Sequence, residues 1–264
     1  TLWCWGYSGY GQVGTGSFND HLRPAEVTTM NDVIQGDGYR YSTCALRADG
    51  KVFCWGQGNL GQLGQGDNDN ASRPQMVPNL NGVTQLAAGE ETLCAVRNDE
   101  TLRCWGRGSH RNVTNQDSPA NSYNQPTASA QMDGAIEVAE GSFHTCVRKT
   151  CANCTNNRVY CFGANEVGQS GRGMDSQYTV GLHAATITDV AEITAGRHHV
   201  CARRHNNNVY CWGKNQYGQL GDGTNTNRNN YVSVHLMTNA AALGKGGNSY
   251  SSCAVKLDGT VWCW

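Results

Sequence analysis

Short runs of alternating apolar and polar residues, closed by turns that carry glycine or aspartate, recur along the whole chain. In Val52-Phe53-Cys54-Trp55, Val52 and Cys54 fall on one face of a strand and Phe53 and Trp55 on the other. The preceding run, Cys44-Ala45-Leu46-Arg47, joins it through Ala48-Asp49-Gly50, which predicts a hairpin whose three-residue loop ends in a left-handed residue. Leu257-Asp258-Gly259 predicts the same loop. Asn207 tolerates that backbone at the matching place, whereas Glu100 is expected to be mildly strained there. Further short strands are predicted at 82–88 and 185–193. Glycine supplies 33 of 264 residues against a usual ~7 %, and glycine or asparagine interrupts the chain too often for long helices, so the expected class is all-β.

One phrase organises the pattern. Cys4-Trp5-Gly6, Cys54-Trp55-Gly56, Cys104-Trp105-Gly106, Cys161-Phe162-Gly163, Cys211-Trp212-Gly213 and Cys263-Trp264 follow one another at spacings of 50, 50, 57, 50 and 52 residues. The units run over about 4–53, 54–103, 104–160, 161–210 and 211–262, with a sixth beginning at 263–264. A second phrase precedes the later occurrences, as in Cys44-Ala45-Leu46 and Cys253-Ala254-Val255. A third follows: Gly11-Gln12-Val13-Gly14, Gly61-Gln62-Leu63-Gly64, Gly168-Gln169-Ser170-Gly171 and Gly218-Gln219-Leu220-Gly221. The unit beginning at Cys104 has lost it and reads His110-Arg111-Asn112-Val113, so its loop is expected to depart from the others. Three or four short strands in ~50 residues are the mark of a propeller blade, although periodicity alone also allows a solenoid.

The run from Cys44-Ala45-Leu46 through Asp49-Gly50-Lys51-Val52-Phe53-Cys54-Trp55-Gly56 to Gly61-Gln62-Leu63-Gly64, with Arg73-Pro74 beyond, resembles the regulator of chromosome condensation repeat family. The resemblance covers essentially the whole chain in five consecutive copies. It implies a β-propeller, commonly of about seven four-stranded blades around an axis, and so one propeller domain over 1–264. Residues 1–5 and 260–264 are the same strand of the repeat and cannot share one place in a closed five-bladed ring. The chain is therefore expected to be a segment of a longer protein that lacks about two blades.

Thirteen cysteines fit this frame. Cys44–Cys54, Cys94–Cys104, Cys201–Cys211 and Cys253–Cys263 are expected to pair across their hairpins. Cys146–Cys161 is the same pair stretched by an insertion with its own pair, Cys151–Cys154. A four-thiolate zinc site at Cys146, Cys151, Cys154 and Cys161 is the rival reading, disfavoured because the outer two repeat a role found in the other units. Cys4 remains, with an expected partner upstream of Thr1. Regular pairing implies an oxidising compartment, and the sequons at Asn70, Asn112 and Asn153, all expected in loops, support N-linked glycans there.

Other candidates are weaker. His198, His199 and His205 could ligate a metal, but His144 matches the place of His199 in its own unit, which favours packing. The runs beginning at Asp67 and Asp222 resemble calcium loops without the closing glutamate. Gly244-Lys245-Gly246-Gly247 lacks the spacing of a phosphate loop and reads as a turn. Trp5, Trp55, Trp105, Trp212 and Trp264 recur once per unit and are expected to pack between blades. No Ser/His/Asp, Cys/His or paired-carboxylate arrangement recurs, so no catalytic residue, metal or cofactor is expected.

A net charge of −1 gives no reason to expect nucleic-acid binding, and no apolar run approaches the ~18 residues of a membrane span. The function expected is that of a non-catalytic extracellular propeller: a structural or adhesive module of a cell-surface or filamentous assembly, in contact with a protein partner or copies of itself. The alternatives are a secreted protein-binding or inhibitor propeller that uses its loops, and a glycan-binding module that uses Tyr10, Tyr123, Tyr178 and Tyr231.

Overall fold

The computed structural model describes residues 1–115, 122–150, 157–180, 184–246 and 249–264. Strands β1 (Trp3–Gly6) and β2 (His21–Glu26) form an antiparallel pair. A four-stranded sheet follows: β3 (Val33–Tyr39), β4 (Ser42–Arg47), β5 (Val52–Gly56) and β6 (Ala71–Met76). The next is β7 (Val83–Ala88), β8 (Thr92–Arg97), β9 (Leu102–Arg107) and β10 (Ser122–Ala128). Then come β11 (Ala135–Glu140), β12 (His144–Lys149), β13 (Arg158–Ala164) and β14 (Tyr178–Thr179). The last full sheet is β15 (Val190–Ala195), β16 (His199–Arg204), β17 (Val209–Gly213) and β18 (Arg228–Ser233). Strands β19 (Ala240–Leu243), β20 (Cys253–Lys256) and β21 (Val261–Cys263) form a three-stranded sheet. Every sheet is an antiparallel meander in chain order, and the first strands of successive sheets approach one another, which is the blade arrangement of a β-propeller. No described helix is long and apolar enough to cross a membrane.

The hairpin turns follow the local chemistry. At Ala48-Asp49-Gly50, Gly50 N donates to Arg47 O, Arg47 N donates to Lys51 O, and the Asp49 carboxylate accepts from Lys51 N. The same pattern recurs around Asp99, Asn206 and Asp258. Gly50, Gly259, Asn207 and Glu100 all take positive φ, at 76°, 84°, 65° and 59°, so Glu100 holds the uncommon backbone expected of it. The strand expected at 185–193 begins only at Val190; before it, Ala184 makes an isolated bridge to Tyr160.

The sequence unit and the blade are out of phase. The unit 54–103 supplies most of β5 and all of β6, the outer strands of one blade, and then β7 and β8, the inner strands of the next. Each cystine therefore joins two units within one blade. Cys44 faces Cys54 in the register of β4 and β5, and all five described bridges hold their α-carbons 4.1 Å apart. Cys146 is bonded to Cys161, which uses both sulfurs; Cys151 and Cys154 lie outside the described residues.

Alternation along each strand builds the core between blades. Cys44, Leu46, Val52 and Cys54 point forward and meet Val83, Leu86, Leu93, Ala95 and Trp105 of the following blade. Trp55 points back against Val27 and Met30. Trp55, Trp105 and Trp212 are fully buried, and each indole Nε1 donates to the glutamine carbonyl of the preceding Gly-Gln phrase: Gln12, Gln62 and Gln169, at 2.9, 3.0 and 2.9 Å. The second glycine of that phrase makes room for the ring, since a Cβ on Gly64 would lie 2.9 Å from Trp105 Nε1. Trp5 departs from the expected packing and is 63 % exposed. Where the Gly-Gln phrase is lost, Arg111 takes the left-handed backbone (φ 63°) and Asn112 O accepts from Thr145. The ring at the tryptophan position there is Phe162, which has no N–H to offer.

Candidate functional site

The inner strands carry a feature that the sequence reading missed. Each bulges between its first and third residues, which turns Gln35, Gln85, Glu137 and Glu192 toward the next blade. Gln35 Oε1 accepts from Leu86 N at 3.0 Å while its amide donates to Leu86 O at 2.7 Å; Gln85 does the same with Val138. Side-chain amides thus link inner strands that make no ladder with each other. Glu137 and Glu192 accept from Ile193 N and Leu243 N, but a carboxylate has no N–H for the facing carbonyl. Lys245 fills that role, donating to Ile193 O at 2.7 Å while it pairs with Glu137 at 2.9 Å and Glu192 at 3.2 Å. Arg148 and Arg203 complete the network at 2.7 and 3.1 Å. Lys245 is thus a channel-wall cation; Gly247 lies outside the described residues. The missed signal was a Gln or Glu recurring at positions 35, 85, 137 and 192 inside otherwise apolar strands.

One face carries aromatic pairs at the blade junctions, where the loop between the first two strands of one blade meets the Gly-Gln loop of the blade before. Tyr10 meets Tyr41 with centroids 5.0 Å apart, His110 stacks on Phe143 at 4.1 Å, and Tyr217 meets Tyr250 edge-on at 5.8 Å. Arg40, Arg111 and Arg197 lie over Tyr41, Tyr178 and Tyr250. The Glu90 carboxylate sits 3.5 Å from both Arg40 and Arg197, which belong to different blades. Of the tyrosines proposed to bind glycan, Tyr10 and Tyr178 join these junctions. Tyr123 packs on the core, and Tyr231 meets Tyr210.

The candidate metal ligands do not converge. His199 begins β16 and His205 lies in the turn beyond its end. His199 Nε2 is 2.8 Å from Ser252 Oγ. Among the described residues, the group with metal-like spacing is Cys94, Cys104 and Glu140, and its two sulfurs are bonded to each other. Asp222 is held by Arg228 at 2.8 Å and by Asn215 and Thr224; the Asp67 carboxylate caps Asp69 N. Asn70 is exposed. Asn112 is 1 % exposed and donates to Thr92 Oγ1, so the folded chain has no room for a sugar there, contrary to expectation. Asn153 lies outside the described residues.

Burial sets the titration of the histidines. It lowers His144 to about 3, helped by the nearby His198 and His199, and lowers His198 and His199 to about 4. The unfolded chain takes up these protons near 6.5. Their neutral forms therefore stabilise the fold above that pH, and the contribution is lost as the pH falls toward 3–4. Asp37, raised by burial to about 6, acts oppositely: its contribution is full below 3.8 and is lost as the pH rises through about 6. In His144→Thr, which copies Thr92 at the corresponding place, the drop in Tm between about pH 6.5 and 4 should be shallower than in the parent. Calorimetry across that range tests this, and an unchanged slope excludes His144 as the source.

Repeated antiparallel blades joined by inner-strand side chains define the class, a β-propeller of tandem repeats. Two profiles described as Regulator of chromosome condensation (RCC1) repeat match residues 1–46, 49–96 and 206–234, and residues 33–62, 83–111 and 190–219. Together they cover more than half of the chain, which belongs to the RCC1 repeat family. Among solved structures, yeast RCC1 (Prp20), crystallised with Kap60, is similar at 20 % identity and a TM-score of 0.80, over 99 % of this chain and 63 % of that one. Human WBSCR16 matches at 21 % and 0.73, over 90 % and 63 %. The CRINKLY WD40 ectodomain of the Arabidopsis thaliana receptor kinase ACR4 matches at 18 % and 0.53, over 93 % and 69 %. At these identities the likeness is of fold alone. The chain spans less than two thirds of Prp20 and of WBSCR16. No curated protein sequence matches it significantly.

Proposed function

We propose that this propeller is a non-catalytic structural or adhesive module of an extracellular assembly, which contacts a protein partner or copies of itself. One observation carries the reading: a cystine locks the second and third strands in all five described hairpins of this kind, and eight of those ten cysteines are buried at 2 % exposure or less. A reducing compartment would remove the bridges that lock these five blades, so the reading places the protein outside the cell. Exposed Asn70 suits a glycan there. The match to a receptor ectodomain indicates that a propeller of this shape is compatible with that setting.

The aromatic and arginine junctions on one face favour a second reading, a soluble protein-binding propeller that uses those loops. Prp20 has a described binding relation to Gsp1p and histones, which supports protein recognition by this fold. Electron microscopy of native material separates the two readings. Ordered arrays or surface-attached particles are expected, whereas monodisperse free particles with one stoichiometric partner would replace the first reading by the second. Peptide mapping after alkylation without reductant tests the compartment: labelling of the ten paired cysteines in native material would overturn an extracellular site.

A further inference from the structure

The inner strands enclose a cavity of about 420 Å³ that opens to solvent. Its walls are mixed: Ile34, Leu86 and Val138 are apolar, Asp37 of the first full blade and Glu140 of the third supply carboxyl groups, and Lys245 also lines the cavity with its charge paired to Glu137 and Glu192. Asp37 Oδ2 accepts from Ala88 N at 3.0 Å. Glu140 is 2 % exposed; its Oε2 accepts from Thr92 Oγ1 at 3.1 Å, and its buried Oε1 has no hydrogen-bond partner. The neighbouring Thr145 hydroxyl donates instead to Asn112 O at 2.7 Å. Among the described residues neither carboxyl has a basic partner, because Lys245, Arg148 and Arg203 are committed to Glu137 and Glu192.

We propose that this cavity binds a primary ammonium group on an alkyl chain, with the ammonium directed at Glu140 Oε1 and Asp37 and the chain lying along Ile34, Leu86 and Val138. An ammonium carries three donors and one positive charge, which matches an orphaned buried acceptor in a cavity that a second carboxyl group also lines. A divalent metal fits less well. Asp37 joins no metal-like group among the described residues, and the sulfurs nearest Glu140 form a disulfide. Burial raises both carboxyls, Asp37 to about 6, and the nearby Asp37 charge adds to the rise at Glu140; a bound cation would reverse both effects. The inference stands apart from the proposed extracellular role, since it rests on the channel wall alone.

The same chemistry is offered by a free alkylamine and by a lysine side chain of a partner. Isothermal titration with n-butylammonium chloride and with acetyl-Gly-Lys-Gly-amide covers both, and tetraethylammonium serves as a control that lacks N–H donors. Saturable one-to-one binding is expected for at least one of the two primary amines and none for the control. Butylammonium binding more tightly indicates a free amine, and the peptide binding more tightly indicates a lysine. Glu140→Gln and Asp37→Asn should each weaken binding by about tenfold or more. Asp37→Asn carries the test if the Glu140 variant does not fold. Unsaturated heats for both amines up to about 100 mM, where even contacts weaker than a millimolar Kd would show, overturn the proposal. So does equal affinity in a folded variant, or equal binding of the control.

Discussion

Reduction should unfold this protein at about 37 °C, in two stages that the burial of its sulfurs sets. Each described bridge closes a loop ten to fifteen residues long, worth ~2–3 kcal/mol by the chain-entropy relation. Five such terms together reach on the order of 10 kcal/mol, comparable with the whole stability of a typical domain at ~5–15 kcal/mol. Access decides the order. Cys263 is exposed and Cys253 half-buried, whereas the other eight paired cysteines are covered by an adjacent blade. A thiolate must reach a sulfur to exchange with it. In a chain of residues 1–264, whose last sheet has no following blade against it, mild reductant should therefore open Cys253–Cys263 first while the far-ultraviolet circular dichroism stays unchanged. The remaining bridges should open together as the fold is lost. Timed alkylation with peptide mapping reads both stages. Early labelling of Cys94 or Cys104, or an unchanged thermal transition after full reduction, would refute this account.

The hairpins and their bridges were legible because two independent signals coincide in them. The turn at Asp49-Gly50 fixes the register, and in that register Cys44 and Cys54 stand opposite each other. The phase of the blades was not legible. Periodicity gives the spacing between Cys54 and Cys104 but says nothing of where one sheet ends, and the break falls between β6 and β7 rather than at the cysteine phrase. Asn112 misled for a related reason. A sequon in a polar stretch reads as exposed loop, yet this one replaces the glutamine of the Gly-Gln phrase and inherits its buried place. The channel wall was hidden because Gln35, Gln85, Glu137 and Glu192 depend on a bulge to reach the next blade, and alternation alone places them without showing what they meet.

Trp105→Ala should cost ~3–5 kcal/mol, because the ring fills the space between two blades and the facing wall cannot collapse onto a missing indole. A double-mutant cycle with Gly64 isolates the physical coupling. Gly64 sits at φ 70°, and a Cβ there would lie 2.9 Å from the indole nitrogen. Gly64→Ala therefore combines left-handed strain, roughly 1–2 kcal/mol, with overpacking of about 1–3 kcal/mol. Trp105→Phe removes the Nε1 donor to Gln62 O and the atoms that the new methyl would strike. In that background Gly64→Ala should cost only the strain, a coupling of about 1–3 kcal/mol that equilibrium urea unfolding can resolve. The chain already holds a version of this exchange: Thr114 stands where other units have the second glycine, and the ring opposite is Phe162. Additive costs in the cycle would mean that the glycine answers to backbone conformation alone, and that the pairing of Thr114 with Phe162 has another cause.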